Sequence, residues 1–341
     1  MKRATKTLTS VILALALLCG MGVSASAAVT DNDLRAAVND SANYMLSTVK
    51  NPQVGSIGGE WAVLGLARSG YDVPQDYWDR YYATVEEYVE ACGGVLHEKK
   101  YTEYSRLIVA LTSIGADPTD VAGYNLLTAL GDFDKTIWQG INGPIWALIA
   151  LDSGNYDMPA NPEAGTQATR QMYVEEILSR QLDDGGWNLT DRGGSGRADP
   201  DITGMALQAL AKYQSSQEAV KTATEKALTC LSDMQDSDGG YASWGTANSE
   251  SVVQVIVALC ELGIDLEDSR FVKDGNTLLD NLMCYRQSDG SFLHTAAGSG
   301  SNQMASEQGL YGLVAALRAA DGANSLYRMD DVTIHVSGNS G

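Results

Sequence analysis

Gln181-Leu-Asp-Asp-Gly-Gly-Trp187, Gln235-Asp-Ser-Asp-Gly-Gly-Tyr241 and Gln287-Ser-Asp-Gly-Ser-Phe292 are three versions of one phrase, with glutamines 54 and 52 residues apart. Self-similarity at a period near fifty residues marks a repeat architecture. Each glutamine closes a stretch with apolar residues at helical spacing. Each Asp-Gly then predicts a turn, because glycine takes the positive φ that a Cβ resists. A second, more apolar helical stretch follows within about 10–20 residues.

Working outward, six of those apolar stretches align: Glu60–Leu66, Arg106–Leu111, Trp146–Leu151, Met205–Leu210, Gln254–Leu259 and Gly312–Leu317. A more polar helix is expected before each, over about 31–49, 75–92, 119–131, 166–181, 217–235 and 268–286. A helix that is apolar nearly all round must be buried on all sides, and one with a single apolar stripe must lie outside it. The chain therefore reads as all-α: twelve helices in six pairs, closed into a ring with an apolar inner layer and an amphipathic outer one. Closure removes the end repeats that an open solenoid must cap. One short strand is expected late, at Val332–Val336. The domain spans 29–324, and 325–341 reads as a tail or linker.

Composition sets the class of partner. The 341 residues hold 23 Lys and Arg against 43 Asp and Glu, for a formal charge of −20. That argues against a nucleic-acid partner, which calls for a basic footprint, and against docking on an anionic membrane. An apolar content of 44% supports a substantial core. Residues 1–28 read as a signal peptide: Lys2, Arg3 and Lys6, then an apolar Val11–Leu18, then Ala25-Ser26-Ala27. Cleavage is expected near Ala27/Ala28, which makes the protein secreted or extracytoplasmic. The apolar run is shorter than the roughly 20 residues a bilayer span needs, and no transmembrane span is expected elsewhere. Leu18 stands where a lipoprotein anchor at Cys19 would want a small residue. Cys92, Cys230, Cys260 and Cys284 permit three full pairings and match no zinc spacing, and the favoured reading is small buried thiols on helices.

The Gln-x2-Asp-Gly-Gly-aromatic phrases, followed by apolar helices rich in small residues, resemble the prenyltransferase and squalene-oxidase repeat of the terpenoid cyclase and protein prenyltransferase superfamily. That resemblance covers about 30–320 and implies an α/α toroid. Asp199-Pro-Asp-Ile-Thr-Gly-Met-Ala-Leu-Gln-Ala-Leu210 and Asn248-Ser-Glu-Ser-Val-Val-Gln-Val-Ile-Val-Ala-Leu259 look like secreted bacterial members, whose toroid is similar to the α6/α6 domain of cobalamin carriers such as transcobalamin and intrinsic factor. A class II cyclase uses Asp-x-Asp-Asp. Here Asp199-Pro200-Asp201 supplies two acids and Ile202 replaces the third, so Asp201, with Asp199, would be the proton donor only if that chemistry were kept. The zinc set of protein prenyltransferases is missing, since His97, His294 and His335 have no suitable Cys beside them. Gly58-Gly59-Glu60-Trp61 lacks the nucleophile of a thioester domain. Polysaccharide hydrolases and lyases share the toroid too, and two carboxylates across a groove would serve them.

The long loops are those that enter the inner helices, so a site is expected at the rim formed by the inner-helix N-termini, where positive dipole ends converge. The expected ligand contacts are Glu60, Trp61, Tyr104, Trp138, Trp146, Trp187, Tyr241, Trp244, Glu250, Phe292, His294, Glu307 and Tyr311. An aromatic-walled concavity with a few polar groups suits a small molecule, and the resemblance offers cobalamin, with His294 able to approach cobalt. The alternative for the carboxylates is helix capping, and for the repeat aromatics it is plugging gaps between repeats. Asp236-Ser-Asp238-Gly reads as a turn because it lacks the rest of a calcium ligand set. No metal and no other cofactor is expected. The readings are a secreted binding protein, a cyclase-like enzyme, or a polysaccharide-active enzyme.

Overall fold

A computed structural model describes residues 28–335. The expected leader, its cleavage site at Ala27, and Val336 at the end of the expected strand lie outside them. Among the described residues there are twelve α-helices: α1 (Asp31–Thr48), α2 (Trp61–Arg68), α3 (Gln75–Ala91), α4 (Thr102–Ser113), α5 (Phe133–Ile137), α6 (Asn142–Ser153), α7 (Arg170–Ser179), α8 (Pro200–Leu210), α9 (Glu218–Met234), α10 (Ser249–Leu262), α11 (Leu278–Met283) and α12 (Gln303–Ala320). The even-numbered helices form the inner ring. Each packs on the next, and α12 closes back on α2 while α1 packs across α12. This is an α/α toroid of six helix pairs.

Layering follows burial. In α10 every residue but Glu261 is buried, whereas α3 buries only Tyr77, Tyr81, Val85 and Val89, one stripe at a spacing of four. The outer layer departs from expectation in two places. The third outer element is a 3-10 turn (Leu126–Gly131) followed by the short α5, and the sixth shrinks to α11. At both, polar turn residues take up length that the pattern assigned to helix. The late strand reduces to one bridge, His335 beside Ala116. Instead a small hairpin pairs β1 (Ala242–Ser243) with β2 (Thr246–Ala247). The four cysteines among the described residues are free thiols, Cys230 and Cys260 buried and Cys284 exposed.

The repeated phrase is a joint between neighbouring pairs. Gln181 donates to the carbonyls of Gly185 and of Ala223 on α9. Gln235 does the same to Gly239 and Phe271. Asp184, Asp238 and Asp289 each accept from a backbone N–H two residues on, the Asx turn expected of Asp-Gly. Gly239 and Gly290 have φ of +84° and +89°, and a Cβ on them would lie 2.5 Å and 2.4 Å from the carbonyls of Thr277 and Asp40. The last of these contacts joins the sixth pair to the first, with Ser41 donating to the Gly290 carbonyl at 2.8 Å. The aromatic residue then seals the seam. Trp187 donates from its indole to Ile177 at 2.8 Å, and Tyr241 from its hydroxyl to Leu231 at 2.9 Å.

The segment after α12 belongs to the fold as far as it is described. Arg68, at the end of α2, donates to the carbonyls of Ser325, Leu326 and Arg328 and pairs with Asp331 at 2.8 Å. Leu326, Tyr327 and Met329 are buried against the C-terminal ends of the inner helices.

Candidate functional site

At the N-terminal rim the three repeats end in capped helices. Asp199 caps α8 by accepting from the backbones of Asp201 and Ile202, with Pro200 as first helical residue. Asn248 and Asn302 cap α10 and α12. Asp199 also accepts from Ser243 at 2.5 Å, so its carboxylate is committed to structure.

Beside these caps stand carboxyl groups that make no capping hydrogen bond. Glu60, Glu250 and Glu307 are buried. Glu307 accepts through Oε1 from the Gly58 N–H and from Gln303, both at 2.7 Å, while its Oε2 has no partner. Glu60 accepts from the Gly55 N–H at 2.8 Å and stands 3.6 Å from Arg106. Glu250 accepts from Ser249 at 3.0 Å and lies 2.8 Å from Nδ1 of His294. Asp201, in the first turn of α8, has an unpartnered Oδ1. Burial favours the neutral form of such groups. It pushes the Asp201 carboxyl up to about 6, with the Asp199 and Glu250 charges adding to the effect. It pushes Glu307 up to about 7 against its two hydrogen bonds, and it raises Glu60 against the pull of Arg106.

The centre of the ring is filled. Trp61 from α2 meets Trp146 from α6 at 5.0 Å and Tyr311 from α12 at 6.0 Å. Tyr311 is buried, and its hydroxyl accepts at 2.7 Å from the Gln254 amide, which also donates to Gln308 at 2.9 Å. The expected contacts therefore divide. Glu60, Trp61, Trp146, Glu250, His294, Glu307, Tyr311 and Asp201 gather on the inner helices and their entry loops. Trp187, Tyr241 and Phe292 are fully buried at the seams, where a ligand has no access. Tyr104 is buried as well, with its hydroxyl accepting from the Leu96 N–H at 3.0 Å. Trp138 and Trp244 stand in solvent, 59% and 86% exposed.

Sequence reasoning did not anticipate the apolar crown around these groups. Five of the six segments entering an inner helix expose one large apolar side chain, Ile57, Val95, Trp138, Leu189 and Trp244, and Met304 does so from the first turn of α12. Neighbouring segments touch: Lys99 sits 5.3 Å over the Trp138 ring, and the Ser249 N–H donates to His294 at 3.1 Å. Trp244 occupies the two-residue turn of the β1–β2 hairpin with φ +51°, followed by Gly245 at +81°. Both central residues of such a turn need positive φ, which is why Asn-Gly dominates there. A tryptophan held in that conformation costs about 1–2 kcal/mol, and local strain of this kind clusters at working sites.

No family model matches the chain, and no curated protein matches it. Solved structures do. A type II terpene cyclase from Scytonema, in complex with geranylgeranyl dihydroxybenzoate, is similar at a TM-score of 0.56 and 14% identity, over 85% of this chain and 98% of that one. An unsaturated glucuronyl hydrolase from Bacillus sp. GL1, responsible for degradation of glycosaminoglycan, gives 0.54 and 12%, over 88% and 100%. A glycosyl hydrolase of family 88 from Bacteroides vulgatus gives 0.56 and 11%, over 85% and 99%. At such identities the likeness is one of fold. The chain has an α/α toroid, the architecture of that cyclase and of those hydrolases. No helix among the described residues is long and apolar enough to cross a membrane.

Proposed function

We propose that the protein is an exported binding protein whose ligand is a carbohydrate chain lying across the inner-helix N-terminal rim. The observation that carries this reading is the pairing of exposed indoles, Trp138 and Trp244, with buried carboxyl groups whose oxygens lack partners. A sugar ring offers an apolar C–H face for stacking and hydroxyl donors at its edge, so it matches both features. The filled ring centre favours an extended ligand on the rim over one enclosed in a chamber. It also weighs against a cyclase, because Trp61, Trp146 and Tyr311 take up the space a polyprenyl chain would need. Hydrolysis would draw on Asp201 or Glu307 as a protonated acid near neutral pH.

Retention of the mature protein on immobilised polysaccharides tests the reading. Trp138→Ala and Trp244→Ala should each weaken retention several-fold with the fold intact. A panel of neutral and acidic polysaccharides with no retention, or retention indifferent to both variants, would overturn it.

A corrinoid is the second reading, and His294 supports it. Its Nδ1 faces Glu250, an orientation that leaves Nε2 as the outward nitrogen. Titration with cobalamin should then shift the corrin absorbance and fail to do so in His294→Ala. No shift at a hundred-micromolar excess removes this reading.

A further inference from the structure

Charge is spread unevenly around the rim. The chain holds 43 acids against 23 bases, yet the segments that enter α4, α6 and α8 (93–101, 138–141 and 187–199) carry Lys99, Lys100, Arg192 and Arg197. The segments that enter α2, α10 and α12 (53–60, 241–248 and 292–302) carry no Lys or Arg. All four bases are exposed. Lys99, Lys100 and Arg197 have no ion pair among the described residues. Arg192 stands 3.8 Å from Glu176, which Arg180 already holds at 2.6 Å. Two acids on the same arc are committed, Asp191 accepting from Asn188 at 2.6 Å and Asp199 from Ser243 at 2.5 Å. Glu98 and, in the turn before Trp187, Asp183 are exposed acids without a partner among the described residues.

The arc is continuous, and its bases are held in place. The Thr102 N–H donates to Gln139 at 3.0 Å, and a Cβ on Gly140 would lie 3.8 Å from the Leu189 carbonyl. His97 folds the first segment by accepting through Nδ1 from the Lys99 and Lys100 N–H groups, both at 3.0 Å. That turn sets the Lys99 ammonium 5.3 Å from the centre of the exposed Trp138 ring. Asn188 pins the 187–199 segment by donating to the Arg197 carbonyl at 2.9 Å. The Ser195 hydroxyl and the Ser195 and Arg197 N–H groups make no hydrogen bond among the described residues. Cations and free donors thus stand beside an aromatic face, and hydrogen bonds between ionised partners are the strong ones. At physiological salt the net charge of −20 is screened over about 8 Å, so the local groups decide what binds.

We infer that the polysaccharide bound at the rim is anionic, with carboxylate or sulfate groups that pair with Lys99, Lys100 and Arg197 while a sugar ring stacks on Trp138. The inference rests on the rim reading above and supplies the charge of the ligand, which that reading leaves open.

The test compares polymers that share a backbone and differ in charge: immobilised polygalacturonate against its methyl ester for carboxylate, and dextran sulfate against dextran for sulfate. The mature protein should be retained several-fold longer on the charged member of at least one pair. Lys99→Gln/Lys100→Gln/Arg197→Gln should weaken that retention about tenfold, the combined loss of three exposed ion pairs. Arg80→Gln/Lys221→Gln/Arg328→Gln removes three exposed bases from the outer helices and the opposite end, and should leave it unchanged. Equal retention on charged and neutral polymers, lost in Trp244→Ala, would overturn this inference and leave the rim reading standing. Equal losses in the two triple variants would overturn it as well. No retention on any of the four polymers would overturn the rim reading and this inference together.

Discussion

The two halves of the ring reach the same architecture by different means. In the second half one set of contacts recurs: an Asx turn, a glycine against a foreign carbonyl, a buried aromatic, an Asp or Asn cap on the inner helix and, at Gln181 and Gln235, a glutamine bridging to the next pair. In the first half α2, α4 and α6 have no side-chain cap. Their entries are joined individually, by the Thr102 N–H donating to Gln139 at 3.0 Å and by a wide turn at Ser56–Glu60. Repetition is thus one solution to closing a ring, and any local contact set that satisfies the helix ends serves equally. The rim carboxyls lie on both sides of the division, Glu60 on α2's entry and Asp201, Glu250 and Glu307 on the repeat-bearing helices.

The largest expected break comes from the sealing aromatic. Trp187→Ala removes a fully buried side chain and its hydrogen bond, and should cost about 3–5 kcal/mol in urea unfolding. Trp138→Ala, in the first half and exposed, should stay within about 0.5 kcal/mol. A similar loss in both would deny the division between seam and platform.

Glu307→Gln sharpens the picture at the closing seam between α12 and α2. The folded-state value, about 7, stands above the ordinary 4.5, so the folded protein holds a proton that the unfolded chain has lost in that window. Stability from this group is full below about pH 4.5 and is lost as pH rises through about 7. The substitution should therefore raise stability at pH 8, on the order of 3 kcal/mol, and change little at pH 4. Equal effects at both pH values in thermal melts would refute the burial argument. Asp201, raised to about 6, contributes in the same direction.

Gly290→Ala should cost about 3 kcal/mol, from a left-handed residue plus overlap with the Asp40 carbonyl. Gly70→Ala, also at positive φ but in open space, should cost about 1 kcal/mol. Asp199→Ala should lose about 1 kcal/mol of capping. Smallest and opposite in sign, Trp244→Asn should stabilise the hairpin turn by some tenths to about 1 kcal/mol while weakening polysaccharide retention. A stability gain with retention unchanged would detach the strained turn from binding.

Much of the fold was legible because period and burial are local signals. Six apolar stretches and the repeated turns specify an inner layer, an outer layer and a closing order. The short third and sixth outer elements were not legible: the Pro118–Asn125 and Asp268–Asn276 stretches form bridged and bonded turns whose partners come partly from their own backbone, and helical spacing does not register that. Of the groups at the rim, the sequence names the acids and the inner aromatics. It does not single out Ile57, Val95 and Leu189, because a lone apolar residue in a loop carries no pattern.

The sequence by itself determined the ring and which helices line it, since an all-apolar helix has only one place to go. It also determined that the rim would collect carboxyl groups. Only the tertiary structure decided which aromatics seal and which stand free. Trp187 and Trp244 both sit in loops before inner helices. The first finds a carbonyl at Ile177, on the outer helix of its own pair, while the second is turned outward by a positive-φ hairpin. That choice rests on one hydrogen bond made back to the preceding helix and on one backbone angle, and composition and spacing encode neither.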